Sequence, residues 1–241
     1  MLFSTRGIIF KCTDYSETSI VCKIYTEKFG LRTYMINGVR SSKGRIKTGL
    51  VRPLNILDLV VYERPGREIQ RISELSFFHI YETLPFEVDK SMIALFLLEV
   101  LNKTILEEEP NLELYKFIEK GLLHIDKHEQ SVLNFHIYFL LHLTRYLGFF
   151  PLGSFSNETP FLDLKEGVFD VKSNSHHYVV HPDLNRDIST MLKSNLENYS
   201  RVKISSKNRR SILDSILQYY SYHISNFTGV RSLNILKTII Q

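Results

Sequence analysis

The chain has 241 residues, of which 44% are hydrophobic, and its formal net charge is +4. This composition is ordinary for a folded soluble protein, and the absence of any run of about 18 apolar residues argues against a transmembrane helix. The first residues lack the pattern of a secretory signal, and two cysteines, Cys12 and Cys22, are too few for a disulfide scaffold or a four-cysteine zinc site. We expect both cysteines to be reduced thiols in a core.

The first 80 residues have the apolar patterning of β-strands. β-Branched, aromatic and other apolar side chains recur in five segments, which are 4–12, 18–26, 31–40, 55–63 and 67–78. Turn signals such as Pro65-Gly66 separate them. Five short strands joined by turns favour a small antiparallel barrel, and the OB-fold is the five-stranded barrel that commonly binds nucleic acid. We therefore predict an OB-fold nucleic-acid-binding domain over 1–80.

After Pro85 the apolar residues recur at helical spacing, which predicts a mainly α-helical domain over 81–241 and an α+β fold class. The predicted helices cover 87–107, 111–126, 130–148, 184–197 and 207–227, and a short segment over 230–240 follows them. The third is apolar nearly all round, so we expect it to be buried at the centre of this domain. An irregular insert over 152–183 is rich in Pro and Gly, and its segments 161–164 and 168–171 predict a β-hairpin.

No pattern of catalytic residues emerges from the sequence. A phosphate-binding loop of the Walker type is absent, and His124 and His128 lack the Glu that a zinc-protease motif places beside its first histidine. The histidines of the insert, His176, His177 and His181, fit solvated loop residues better than metal ligands. Because no nucleophile, base and orienting group assemble, we expect neither an enzyme nor a bound metal or cofactor.

Cations and aromatic rings alternate along the predicted barrel. Residues 1–80 hold thirteen Lys or Arg and seven Asp or Glu, and 32–52 hold six basic residues and no acid. Such a concentration attracts nucleic acid, although charge alone is explained equally well by a solvated surface. Cations neutralise phosphates, and rings stack on unpaired bases. The predicted nucleic-acid-binding residues, several of them in a basic loop over 40–52, are Lys23, Arg32, Tyr34, Arg40, Lys43, Arg45, Lys47 and Arg52.

The order of several short motifs resembles that of the RecO family, over essentially the whole chain. In the helical part, Leu147-Gly148-Phe149-Phe150-Pro151 is similar to the Leu-Gly-Tyr-x-Pro ending of the family's central helix. The motifs of the first third that carry the resemblance are Thr5-Arg6-Gly7-Ile8-Ile9-Phe10-Lys11, Asp14-Tyr15-Ser16-Glu17, Phe29-Gly30-Leu31, Asn37-Gly38-Val39-Arg40 and Arg52-Pro53-Leu54.

The resemblance implies a non-enzymatic mediator of recombinational DNA repair, cytoplasmic and associated with the nucleoid. Such a protein binds single- and double-stranded DNA, anneals complementary strands and helps to load RecA onto DNA coated with single-strand-binding protein (SSB). The implied protein partners are RecR and the acidic C-terminal tail of SSB. We expect the tail to bind a groove on the helical domain at Arg145 and Tyr146, where a cation lies beside apolar surface, although Lys120 or Lys127 could serve as well.

One departure from the family pattern concerns zinc. Many members carry a four-cysteine zinc site after the central helix, whereas 152–183 contains no cysteine, so we expect no structural zinc. The main alternative function is an OB-fold RNA-binding accessory factor of translation or ribosome assembly, which would prefer structured RNA to single-stranded DNA. A hydrolytic enzyme that uses the His-rich insert is a third possibility, and it would show metal-dependent turnover.

Overall fold

The structure, a computed structural model, describes residues 1–39, 48–106, 108–129, 131–171 and 179–240. The chain forms two compact units. The first comprises Met1–Glu82 with Leu101–Leu123, and the second comprises Thr83–Val100 with His124–Gln241. No helix within the described ranges has the length and apolar character that crossing a membrane requires.

The first unit contains a closed five-stranded barrel. Its strands are β1 (Leu2–Asp14), β2 (Ile20–Thr26), β3 (Gly30–Ile36), β4 (Ile56–Tyr62) and β5 (Ile69–Phe77). They are arranged in the order β1-β2-β3-β5-β4, and β1 pairs with β4 to close the barrel. All pairs are antiparallel except β3 with β5. The predicted OB-fold is thereby confirmed, since this is a five-stranded barrel of that type.

The barrel interior is filled by alternate side chains of the five strands. Because successive side chains of a strand point to opposite faces, filling the interior with one set leaves the other set on the outer surface. The buried residues include Ile9, Ile24, Tyr34, Ile36, Leu57, Leu59 and Val61. This alternation decides which of the basic residues of the first third are accessible.

The two cysteines form a disulfide, so the expectation of reduced thiols is wrong. Cys12 on β1 and Cys22 on β2 are direct cross-strand partners, and their Cα atoms lie 4.1 Å apart. Their separation of ten residues along the chain gave no indication of this pairing, which depends on the register of the two strands.

Residues 101–123 belong to the same compact unit as the barrel, which the predicted boundary at residue 80 does not anticipate. The Tyr25 ring of β2 packs against Tyr115, with ring centroids 6.1 Å apart. Arg6 of β1 forms an ion pair with Glu119, with the closest nitrogen and oxygen atoms 2.9 Å apart. These contacts hold the helical segment 112–123 on one side of the barrel.

The second unit is mainly helical. The helices of the chain are α1 (Val88–Thr104), α2 (Leu112–Lys127), α3 (Phe135–Tyr146), α4 (Pro182–Leu192), α5 (Ser206–His223) and α6 (Leu233–Ile239). Nine of the twelve residues of α3 are buried, which confirms its predicted central place. The predicted hairpin is formed by β6 (Phe161–Asp163) and β7 (Val168–Asp170), and a further strand, β8 (Val179–Val180), pairs with β6.

Candidate nucleic-acid interface

Three exposed cations lie on the outer surface of the barrel, on strands β1, β2 and β5. Lys11 of β1 is the direct cross-strand partner of Lys23 of β2, and Lys23 is in turn paired with Thr33 of β3. Two residues further along β3, Met35 is paired with Arg71 of β5, which is also the partner of Tyr62 of β4. We call the surface formed by Lys11, Lys23, Met35, Tyr62, Ile69 and Arg71 the basic sheet face.

The cations of the basic sheet face, Lys11, Lys23 and Arg71, have no acidic partner among the residues that the structure describes. The rings and aliphatic groups beside them are accessible, since Tyr62 is 41% and Ile69 is 38% exposed. The face therefore combines free positive charge with exposed apolar and aromatic surface.

Of the residues predicted to bind nucleic acid, Lys23 and Arg52 are exposed. Lys23 belongs to the basic sheet face, and Arg52 follows the short 3-10 helix Thr48–Leu50. The four residues of the predicted basic loop, Arg40, Lys43, Arg45 and Lys47, lie outside the described residues.

Arg32 is occupied by another part of the same unit. Its guanidinium donates hydrogen bonds to the backbone oxygen of Glu108, at 2.8 Å, and to the carboxylate of Glu108, at 3.0 Å. Most of its charge is thereby offset by a local partner. We therefore give Arg32 no part in phosphate binding.

Tyr34 is completely buried in the barrel, so its ring cannot stack on a base, and we remove it from the site. Its hydroxyl donates a 2.6 Å hydrogen bond to the Glu63 carboxylate. Burial, reinforced by that carboxylate, raises the pKa of Tyr34 well above its usual value. The sequence pattern separated the two faces of β3 but did not tell which of them points inward.

The turn between β4 and β5 carries two further exposed cations, Arg64 and Arg67. The buried side chain of Gln70 holds this turn in place. Its amide oxygen accepts a hydrogen bond from the Arg64 backbone N–H at 3.0 Å, and its amide nitrogen donates to the backbone oxygens of Arg64, at 2.8 Å, and Arg67, at 3.0 Å. Both arginines contribute to the thirteen basic residues of 1–80, but they were not among the predicted nucleic-acid-binding residues. Their position around the Pro65-Gly66 turn was the signal that could have identified them.

A hollow of about 530 Å³ lies beside this turn. The rings of Phe3 and Phe29 meet edge to face there, with centroids 5.5 Å apart. We call this hollow of about 530 Å³ the turn hollow. Besides the two rings, its lining includes Arg32, Glu63, Arg64, Arg67, Gln70 and Glu108. A second hollow of about 290 Å³ shares Arg64, Arg67 and Gln70 and is completed by Tyr62, Ile69 and Arg71 of the basic sheet face.

The residues predicted to hold the SSB tail lie at the end of α3. Arg145 is exposed, and its guanidinium carbon lies 4.4 Å from the centroid of the Phe150 ring. Tyr146 is half-buried. A cation and apolar surface are therefore adjacent at this point of the helical unit.

Two histidines of the helical unit, His124 and His128, belong to an aromatic cluster with Tyr199. Their rings are tilted by 31° with centroids 4.6 Å apart, and His124 Nε2 lies 3.3 Å from the Tyr199 hydroxyl. Burial, with the neighbouring His128, lowers the pKa of His124 to about 4. His176 and His177 lie outside the described residues. Elsewhere, within the ranges that the structure describes, no group of three or more His, Cys, Asp or Glu is placed to hold a metal ion.

Comparison with known proteins gives one consistent result. Residues 1–81 match the family model described as recombination protein O, N-terminal, and residues 85–232 match the model described as recombination protein O, C-terminal. The chain is 30% identical over 239 residues to a DNA repair protein RecO of Phocaeicola vulgatus. It is 31% identical over 240 residues to that of Christiangramia forsetii, and in both comparisons 99% of each chain is covered.

Proposed function

Because the chain belongs to the RecO family of DNA repair proteins, we propose that it is a recombination mediator whose barrel binds single- and double-stranded DNA through phosphate contacts. The proposed contacts are made by the basic sheet face, by Arg52, and by Arg40, Lys43, Arg45 and Lys47 of the basic loop. Contacts of this kind fix DNA on the protein with little sequence selectivity.

The observation that carries this proposal is the pairing of Lys11 with Lys23. Like charges directly opposite each other on neighbouring strands destabilise a sheet, and no described acid offsets this pair. A DNA phosphate placed between the two ammonium groups would convert this repulsion into two attractive contacts. Counterions released from the DNA would add to the binding free energy.

Binding of DNA phosphates by the barrel would account for the proposed mediator activity. Two strands whose phosphates are neutralised on the barrel repel each other less, so complementary strands anneal faster. We further propose RecR as a partner, and RecA as the protein that is loaded after SSB is displaced. For the acidic SSB tail we propose the surface at Arg145, Tyr146 and Phe150, where the arginine would bind a carboxylate and the rings an apolar side chain.

Strand annealing tests the proposal. Complementary single strands coated with the cognate SSB are mixed with the protein, and duplex formation is followed by fluorescence. We expect acceleration that is lost when SSB lacks its tail, and that is reduced by Arg145→Glu and by the face variant, which combines Lys11→Gln, Lys23→Gln and Arg71→Gln. Gln keeps an aliphatic stem and removes the charge.

The matched control combines Arg201→Gln, Lys203→Gln and Lys207→Gln, three exposed cations of the helical unit. This control variant should anneal like the unmodified protein. No acceleration by a protein that still binds DNA would contradict the mediator function. A preference for structured RNA over single-stranded DNA would instead favour the RNA-binding alternative.

A further inference from the structure

The lining of the turn hollow combines aromatic rings with positively charged side chains. The volume of the hollow, about 530 Å³, falls within the usual range of small-ligand sites, roughly 300–1,000 Å³. The rings of Phe3 and Phe29 form its apolar part, and Phe3 is 36% exposed. A planar ligand therefore has an accessible aromatic ring to stack on.

Most polar groups of the turn hollow already have partners. Arg32 is bonded to Glu108, and the Glu63 carboxylate accepts a hydrogen bond from Tyr34. The Gln70 amide is used by the backbone of the turn. Two charged side chains then remain for a ligand, Arg64 and Arg67, neither of which has an ion-pair partner in the described ranges. The ligand should therefore carry negative charge at one end and a flat apolar surface at the other.

The turn hollow is continuous with the basic sheet face. Arg64 and Arg67 also line the smaller hollow, whose other residues include Tyr62 and Arg71. A polyanion that crosses the basic sheet face is thereby brought to the two arginines of the turn. This continuity favours a DNA strand over a separate acidic peptide as the occupant of the turn hollow.

We propose that the turn hollow binds one unpaired nucleotide of single-stranded DNA, with the base against Phe3 and Phe29 and the adjacent phosphates on Arg64 and Arg67. This inference rests on the proposed function, and it assigns to the barrel a site that a base-paired nucleotide cannot enter. Base stacking on aromatic side chains adds affinity without sequence preference. The site would let the protein distinguish single strands from duplex, while the basic sheet face binds both.

The test compares single-stranded and duplex DNA on the full-length protein. For the double variant Phe3→Leu, Phe29→Leu, we expect affinity for an oligo-dT strand to fall about tenfold, since a stacked base contributes roughly 1–3 kcal/mol. Affinity for a duplex of equal length should stay unchanged, which also shows that the variant is folded. Phe3→Leu alone, at the more exposed ring, should give a smaller loss of the same kind.

A crosslinking measurement locates the base. Oligo-dT that carries one 5-iododeoxyuridine is irradiated in complex with the protein, and the modified peptides are identified by mass spectrometry. We expect the adduct on a peptide that contains Phe3 or Phe29, with a yield that falls in Arg64→Gln, Arg67→Gln. Adducts confined to other peptides, or equal losses of single-strand and duplex affinity in the Phe variants, would overturn the inference and leave DNA binding by the barrel intact.

A labelled acidic peptide with a C-terminal Phe is the competing probe. If it binds the unmodified protein, loses affinity in Arg64→Gln, Arg67→Gln, and no nucleotide adduct forms at Phe3 or Phe29, the turn hollow is a peptide site and the inference is wrong. Failure of DNA binding by the barrel, the part of the proposed function on which the inference rests, has a different signature, since the unmodified protein would then bind neither form of DNA.

Discussion

His136, in the first turn of α3, is a fully buried imidazole that makes no hydrogen bond to the described part of the chain through either ring nitrogen. Burial, reinforced by the positive charge of Arg209, lowers its pKa from 6.5 to about 3, and the nearby Leu133 backbone, which lies outside hydrogen-bond geometry, opposes these effects in part. The ring is therefore neutral at pH 7. An unsatisfied buried polar group costs about 1–3 kcal/mol, so this residue weakens the core that it helps to fill.

We expect His136→Leu to raise the free energy of unfolding by about 1 kcal/mol at pH 7.5, because it removes this unsatisfied group. Between pH 6.5 and pH 3 the unfolded chain binds a proton at His136 that the folded chain does not, so the unmodified protein loses stability as the pH falls through this window. At pH 5 the advantage of the variant should have grown by about 2 kcal/mol. Urea unfolding of the variant and of the unmodified protein at pH 7.5 and pH 5 measures the difference in their free energies of unfolding.

His181→Ser is the matched control. His181 is exposed and caps α4, and Ser is also a good N-cap residue. This control removes an exposed histidine and keeps the buried one, so comparison of the two variants assigns the pH effect to His136. An advantage of His136→Leu that is equal at pH 7.5 and pH 5 would show that His136 titrates normally in the folded protein.

At the scale of elements, the turn between β2 and β3 meets the segment that precedes α2. Gly30 has a φ of +65°, and a Cβ atom there would lie 2.4 Å from the backbone oxygen of Glu109 and 2.7 Å from that of Glu108. The segment cannot easily withdraw, because Arg32 holds Glu108 and the Tyr25 hydroxyl donates to the Asn111 backbone oxygen at 3.3 Å. Glycine at this position thus permits the segment to pack against the barrel.

Gly30→Ala should therefore destabilise the protein for two reasons. The left-handed backbone costs about 1–2 kcal/mol for a residue with a Cβ, and the close backbone contact adds about 1–3 kcal/mol. Gly66→Ala isolates the first effect, since Gly66 has a φ of +76° and no atom within 4 Å of its Cβ position. Thermal unfolding of the two variants measures the difference. Equal losses would show that the segment before α2 does not lie against Gly30.

The elements themselves were largely predictable, because strands and helices leave different apolar periods in the sequence. Boundaries were less so: β1 extends beyond the predicted 4–12 because it pairs with β2 near one end and with β4 near the other. α3 begins at Phe135 instead of 130, since Val132 accepts the Phe135 N–H in a turn. Pairing and turns of this kind depend on tertiary structure that a local pattern does not contain.

The candidate site was predictable only in part. Along β2, Lys23 alternates with the apolar residues Cys22 and Ile24, so the period of the strand alone places it on the opposite face from them. The burial of Tyr34 could not be predicted, because it depends on which face of β3 closes the barrel. The pairing of Arg32 could not be predicted either, because its partner lies in a segment more than 70 residues away. The Lys11–Lys23 pair and the Cys12–Cys22 disulfide depended on strand register, for which the sequence offered no marker.

At the scale of the whole molecule, the excess of positive charge lies in the part of the chain that forms the barrel. Residues 1–80 carry a net charge of +6, and the remainder of the chain carries −2. The electrostatic field of the first third attracts a polyanion, whereas that of the other residues does not. We therefore assign DNA binding to the barrel and the binding of protein partners to the helical unit.

The salt dependence of single-strand binding is the measurement that tests whether the barrel binds DNA. Affinity for an oligo-dT strand is measured by fluorescence anisotropy over a series of NaCl concentrations. The proteins compared are the unmodified protein, the face variant, the control variant, and a loop variant with Arg40, Lys43, Arg45 and Lys47 changed to Ala. Each phosphate contact that is lost reduces the slope of log K against log salt concentration by about 0.7 on single strands.

We expect the face variant to bind more weakly and its slope to be about 2 units shallower, since three phosphate contacts are removed. The loop variant should lose affinity and slope in the same manner, and the control variant should match the unmodified protein. A face variant and a loop variant that both keep the affinity and the slope of the unmodified protein would contradict the assignment of DNA binding to the barrel.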